Sequence, residues 1–210
     1  MKPRNIISAV LIVAIITLAY FLYTGIMRPV KFESEFNNRS ESVINRLKDI
    51  RTLQETFKST NGRFCSSIDS LLIFAETGKV KMVIKSGIVP DSLTEAQALR
   101  AGIIKRDTVS VNPLRKLMEE KKLLIAEKDF KTLKFIPYSD NKVFEMKSDI
   151  INRGGVMVPV FEAKASILTF TKGMDEQDVR NRKAEIEGKD RYAGWKVGDL
   201  NQPIIDGNWE

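Results

Sequence analysis

Ile6 to Met27 reads IISAVLIVAIITLAYFLYTGIM. Nothing in it is charged, and its polar side chains are Ser8, Thr17, Thr24 and the tyrosines Tyr20 and Tyr23. About 20 helical residues cross the ~30 Å hydrocarbon core of a bilayer, so these 22 are long enough. In lipid the backbone must satisfy its own hydrogen bonds, and an isolated apolar run of this length is expected to be a helix. Tyr20 and Tyr23 stand toward one end, where amphipathic rings prefer the headgroup boundary. The stretch reads as one membrane span, with the bilayer itself as its partner.

A cleaved signal peptide is the competing reading. Lys2 and Arg4 supply a basic start, and Thr17-Leu18-Ala19 resembles a small-residue cleavage site. Signal peptides have apolar regions of about 7–15 residues, whereas this one continues through Tyr20-Phe21-Leu22-Tyr23. An uncleaved anchor is therefore expected. Lys2, Arg4 and the amino terminus lie on one flank, Arg28 and Lys31 on the other. The positive-inside rule counts basic residues near the ends of a span, and it favours a cytoplasmic amino terminus. The expected location is the inner (cytoplasmic) membrane, with the C-terminal domain in the periplasm.

Beyond residue 27 lie 183 residues, enough for one ordinary domain or a domain with a stalk. They hold all 27 acids and all but two of the 34 Lys and Arg, a formal charge of +5. The charges are interspersed, with no run of five or six basic residues, which fits a mixed solvated surface. Nucleic acid is not an expected partner. There is no histidine, so the commonest general base and metal ligand are missing. Cys65 is the single cysteine, which excludes an intramolecular disulfide, a CxxC redox pair and a Cys-rich zinc site. It reads as a small, partly buried hydrophobe.

Downstream of the span, Arg28-Pro29 is expected to interrupt the helix, because Pro lacks an amide proton and restrains the residue before it. A long helical pattern then runs from Phe32 to Thr60. Phe36, Val43, Ile50 and Phe57 recur every seven residues, with Leu47 and Leu53 beside them. That spacing makes a narrow apolar stripe for one packing partner, either the domain's own sheet or another subunit's helix. These four are the candidate partner-binding residues. Self-packing is favoured for the second half, and Phe32 to Arg39 is left free to stand clear as a stalk.

Asn61-Gly62 should end the helix at a left-handed cap. Ser66 and Ser67 cap a short helix, Ile68 to Glu76, stopped by Gly78. Lys79 to Lys85 reads as a strand, Leu93 to Arg100 as a short helix opened by Asp91 or Ser92 and stopped by Gly102. Ile103-Ile104 and Thr108 to Val111 read as extended, Leu114 to Ala126 as a charged helix, and Leu133 to Tyr138 as a strand. Val143 to Asn152 and Val156 to Ala163 form a hairpin about Gly154-Gly155, a pair that accepts positive φ. Asp175 to Glu187 has acids first and bases later, which suits a helix dipole. Trp195-Lys-Val-Gly198 and the terminal Gly-Asn-Trp209-Glu complete the chain. The expected class is α+β: a transmembrane helix (1–27), a juxtamembrane amphipathic helix (28–62), and an extracytoplasmic domain (63–210) of a small, mostly antiparallel sheet with short helices.

Chemistry is sparse. Ser139-Asp140-Asn141-Lys142 has the spacing of a Ser-x-x-Lys nucleophile motif, but it falls between two expected strands and has ordinary turn composition. Gly78-Lys79 looks like the end of a phosphate-binding loop, yet Ile73 stands where the first Gly must be. Asp175, Glu176 and Asp178 offer carboxylates for a hard cation, though acids in a first helical turn usually serve the cap and the dipole. Glu119 and Glu120 point to different helix faces. Trp195 and Trp209 read as residues that close the core, with exposed partner anchors as the alternative. No catalytic, cofactor-binding or metal residues are assigned, and no cofactor is expected.

Leu53-Gln54-Glu55-Thr56-Phe57-Lys58, then Asn61-Gly62-Arg63-Phe64, Ser67-Ile68-Asp69 and Leu71, resembles the helix-to-loop passage of type IV pilins and type II secretion pseudopilins over about 35 residues. Three features depart from that family. No Gly precedes a Phe or Met cleavage point, no Glu lies early in the apolar helix, and Pro29 is expected to break the continuous helix. The overall order, with Leu133–Tyr138, the Gly154-Gly155 hairpin and the Gly207-Asn208-Trp209-Glu210 end, is similar to uncharacterised single-span envelope proteins of Bacteroidota. That similarity implies location and a structural role. The expected function is a membrane-anchored, non-enzymatic subunit or scaffold of a secretion or pilus-like assembly, with other envelope proteins as partners and a homo-oligomer as an option. The alternatives are a periplasmic hydrolase using Ser139 and Lys142, or a basic cytoplasmic nucleic-acid-binding domain in an inverted topology.

Overall fold

The computed structural model describes residues 3–86, 94, 97, 100 and 105–210. The fold is α+β. Its spine is α1, a single helix of 59 residues, Pro3–Asn61. The expected break at Arg28-Pro29 does not occur, and helix continues on both sides of Pro29. A proline in a helix interior deletes one backbone bond and crowds the carbonyl four residues earlier, at roughly 3 kcal/mol. Here that carbonyl belongs to Gly25, whose own Cβ position is open space. The cost falls on one turn of a helix held along its length beyond. Gly62, at φ +73°, ends α1 as expected, its N–H donating to the Lys58 carbonyl at 2.8 Å.

The elements that follow are α2 (Ile68–Thr77), β1 (Val80–Ser86), β2 (Lys105–Val111), α3 (Pro113–Glu119), a 3-10 turn (Glu127–Thr132), β3 (Glu145–Arg153), β4 (Val156–Ser166), α4 (Ile167–Phe170), α5 (Glu176–Glu187) and β5 (Gly194–Gly198). β1 and β2 form an antiparallel pair, Val80 opposite Val111. β3, β4 and β5 form a second sheet in that order. The expected hairpin is there: Arg153 faces Val156 across Gly154 (φ +62°) and Gly155 (φ +86°), and the Asn152 side chain accepts the Gly155 N–H at 2.9 Å. The expected helix at Leu93–Arg100, its Gly102 stop and the Ile103-Ile104 segment lie outside the described residues, apart from Thr94, Gln97 and Arg100.

Two further expectations are corrected. The helix expected over Leu114–Ala126 stops at Glu119. Lys121 takes φ +53°, with its N–H on the Met118 carbonyl and the Lys122 N–H on the Leu117 carbonyl. That bond pair is a Schellman stop, usually made by Gly. The strand expected over Leu133–Tyr138 is instead a run of turns with one isolated bridge, Phe135 to Val143. Pro137 has no N–H to give a ladder, and Tyr138, Asp140 and Asn141 all have positive φ.

The chain divides into two compact units, and α1 runs through both. The first takes in the chain up to Ile44, Ile136–Lys142 and Ala165–Trp195. In it α4 and α5 collar α1. Phe36, 6% exposed, lies 5.9 Å from the rings of both Phe32 and Phe170, with the Arg182 guanidinium 5.3 Å from its centroid. Arg182 also pairs with Glu33, and Arg28 with Asp175 at 3.2 Å. Contacts at 28 and 33–36 on α1 thus match 175 and 182 on α5, so the two helices run in the same direction. Arg39 donates to the carbonyls of Phe170 (3.1 Å) and Lys172 (2.8 Å) and lies over the Tyr138 ring. Phe32 to Arg39 is therefore packed, and the stalk reading is overturned. The sequence could not show that residues 130 positions away return to cover this turn.

The second unit comprises Asn45–Phe135, Val143–Lys164 and Lys196–Glu210. Leu47, Ile50 and Leu53 on α1 are fully buried, as are Leu71 and Ala75 of α2 and Phe161 and Ala163 of β4. Phe57 meets Phe74 edge to face at 4.9 Å, and Phe64 meets Phe161 at 4.6 Å. The C-terminal turn closes β5: Val197 bridges Gly207, and a Cβ on Gly207 would strike the Trp209 ring at 2.3 Å.

Candidate functional site

The first candidate is the apolar end of α1. Among the described residues, one helix is long and apolar enough to cross a membrane. From Val10 to Ile26 its large apolar side chains are 57–65% exposed, with none of the described residues covering them. Thr17 and Thr24 donate their hydroxyls to the carbonyls of Val13 (2.8 Å) and Tyr20 (3.0 Å). These back-bonds pair both threonine hydroxyl protons within the helix, which suits an apolar surrounding.

The stripe Phe36, Val43, Ile50 and Phe57 lies within this chain's own packing. Phe36, Val43 and Ile50 are buried, and Phe57 is half-buried against Phe74. Periodicity alone left the covering partner open, and here the protein's own side chains supply it.

Sequence reasoning missed the polar residues beside that stripe. Asp49 is 1% exposed, and its carboxylate accepts the backbone N–H of Leu124 at 2.7 Å and of Ile125 at 2.9 Å. Burial raises its pKa, against the two N–H bonds and Arg46, which lower it. Gln54 is fully buried and bonds both ways to Cys65, giving to its carbonyl at 2.7 Å and accepting its N–H at 2.9 Å. Arg46 donates to the carbonyls of Thr132, at 2.5 Å, and Phe135. Arg39, Arg46, Asp49 and Gln54 each hold an irregular segment by its backbone. Their role is positioning, and their only sequence signal was adjacency to the apolar repeat.

The residues considered for chemistry are engaged elsewhere. Ser139 is buried in a turn, giving its hydroxyl to the Ile136 carbonyl at 2.6 Å and accepting the Lys142 N–H at 3.1 Å, while Lys142 is exposed. Asp175 caps α5, its carboxylate accepting the N–H groups of Gln177 and Asp178. These bonds, the one from Asp178 foremost, hold its pKa down together with Arg28. Glu119 pairs with Arg115 and Glu120 with Lys122 on the surface. Cys65 is buried with its thiol on the Ser67 carbonyl. Trp195 and Trp209 are half-buried. Among the described residues, no group of three or more His, Cys, Asp or Glu is placed to hold a metal ion.

Two open grooves mark the second unit. One, of about 790 Å³, is lined by Lys79, Lys81, Lys116 and Lys122 together with Glu55, Glu120 and the hydroxyl face Thr52, Thr56, Ser59 and Thr60 of α1. The other, of about 520 Å³, follows β3 at Ser148–Ile150 opposite Phe57, Arg63 and Phe64. Ile150 in this groove and Val156 and Met157 near the hairpin tip are exposed. No family model, curated protein or solved structure matches the chain.

Proposed function

We propose that this is a single-pass inner-membrane protein whose α+β part lies in the periplasm and works by contact with other envelope proteins, as a subunit or scaffold of a secretion or pilus-like assembly. The observation that supports it best is α1 itself. A row of uncovered apolar side chains, Val10–Ile26, gives way within two residues to a collar anchored by Arg28–Asp175. A span that leads directly into folded protein fixes that protein against the membrane surface, as a scaffold requires. The continuity of α1 through Pro29 removes one of the three departures from the pilin pattern, while the missing Gly and Glu remain. A photo-crosslinker at Met157, which is 63% exposed, tests the role in cells. Discrete crosslinked bands support a contact role; an unreacted probe at Met157, Val156 and Leu168 alike counts against it.

The lysine groove favours a second reading, in which an inverted topology presents a cytoplasmic surface to nucleic acid. That reading requires binding that falls steeply with salt and is lost when Lys79 and Lys81 are replaced by Glu.

A further inference from the structure

Among the described residues β3 is the edge strand of its sheet, and its Ser148, Asp149 and Ile150 line the 520 Å³ groove. The two-residue turn makes Arg153–Val156 a hydrogen-bonded pair. Alternation then turns the N–H and C=O groups of Asp149, Ile151 and Arg153 toward β4, and those of Ser148, Ile150 and Asn152 outward. The outward Ile150 N–H is held at 2.7 Å by the side chain of Asp149, the residue just before it. Exposed edges template the pairing of another chain unless something occupies them, and here one carboxylate does so.

We infer that β3 pairs with β3 of a second copy, antiparallel about a two-fold axis at Ile151, joining two three-stranded sheets into one of six. This names the partner for the contact role proposed above and rests on that reading for its setting. Charge complementarity selects the register. With Ile151 opposite Ile151 of the other copy, Asp149 faces Arg153 and Arg153 faces Asp149, giving two symmetric ion pairs. Neither residue has an ion-pair partner among the described residues of its own chain. Centring on Ile150 would set Lys147 against Arg153, and centring on Asp149 would oppose two carboxylates; like charges directly opposite destabilise a sheet. The selected register also satisfies the backbone. Ile150 and Asn152 become a hydrogen-bonded pair through their outward groups, while Asp149 releases the Ile150 N–H and turns to the arginine. The exposed Ile150, Val156 and Met157 flank the new seam.

Cysteine crosslinking of the full chain in proteoliposomes, in a Cys65→Ser background, tests the pairing. A non-hydrogen-bonded antiparallel pair has Cα atoms about 4.5 Å apart, within the roughly 4.4–6.8 Å a disulfide spans. Ile151→Cys should oxidise to a band at twice the monomer mass. Lys147→Cys should not, because its two copies would stand roughly 26 Å apart at ~3.3 Å per residue. Asp149→Arg should cut the Ile151→Cys crosslink at least about tenfold, and adding Arg153→Asp should restore it. Equal crosslinking at 147 and 151, no crosslink at 151, or failure of the charge swap to restore it would each overturn the pairing. Release of the protein by alkaline carbonate would instead count against the membrane reading, leaving the crosslinks to judge the pairing separately.

Discussion

Asp49 shows how a single buried acid shapes the path of a segment 75 residues away. Its carboxylate takes two consecutive backbone N–H groups, Leu124 and Ile125, and so draws that stretch out of the helix its sequence favours. Burial raises its folded pKa above the ordinary 3.8, so the folded state binds the proton more tightly than the unfolded chain. By linkage the associated stability is fully present below 3.8 and is lost as pH rises through the folded value. The advantage of the wild type over Asp49→Asn in urea unfolding should therefore be larger at pH 4.5 than at pH 7. An advantage that shrinks on acidification would reverse the argument. Gln54 carries no charge and gives a cleaner test of the same architecture. Gln54→Leu keeps the volume but orphans the N–H and C=O of Cys65, at about 1–3 kcal/mol for each buried unsatisfied group. Denaturant unfolding should show a loss of about 2–6 kcal/mol.

At the scale of elements, the collar of α4 and α5 sets where α1 stops being bare. Phe36→Ala removes the ring between Phe32 and Phe170, and truncating a buried Phe typically costs about 3–5 kcal/mol. Hydrogen exchange should show α5 losing protection in that variant while the β3–β4 hairpin keeps its own; uniform loss would mean that the collar is not a separate packing element. This element also marks the limit of reading the chain alone. Gly62, Gly154-Gly155 and Asp175 announced their caps and turn because each residue type has a local physical reason to be there. Lys121 stood where a stop is usually Gly, and nothing local told the sequence that Asp49 would claim the next amides. Leu133 and Ile136 read as strand, but three-residue spacing with Pro137 fits a turn whose apolar side chains face inward. The apolar repeat was legible as a stripe, whereas the side chains that cover it come from distant positions. The polar residues that clamp the loops were not legible at all, since Arg, Asp and Gln on a helix ordinarily meet solvent.

At the scale of the whole molecule, one helix meets two different surroundings. Its first part has apolar side chains that none of the described residues covers, and one face of its later part is buried in protein. We propose that the uncovered part lies in a bilayer and that the fold lies outside the cytoplasm. Cys65 is too buried to report on this, so the probe is Lys147→Cys in a Cys65→Ser background, on the exposed face of β3. Intact cells would be treated with a membrane-impermeant maleimide, and the membranes then extracted with alkaline carbonate. Labelling without lysis, and a protein that stays in the pellet, are expected. Labelling only after lysis would contradict the topology, and release by carbonate would contradict the anchor.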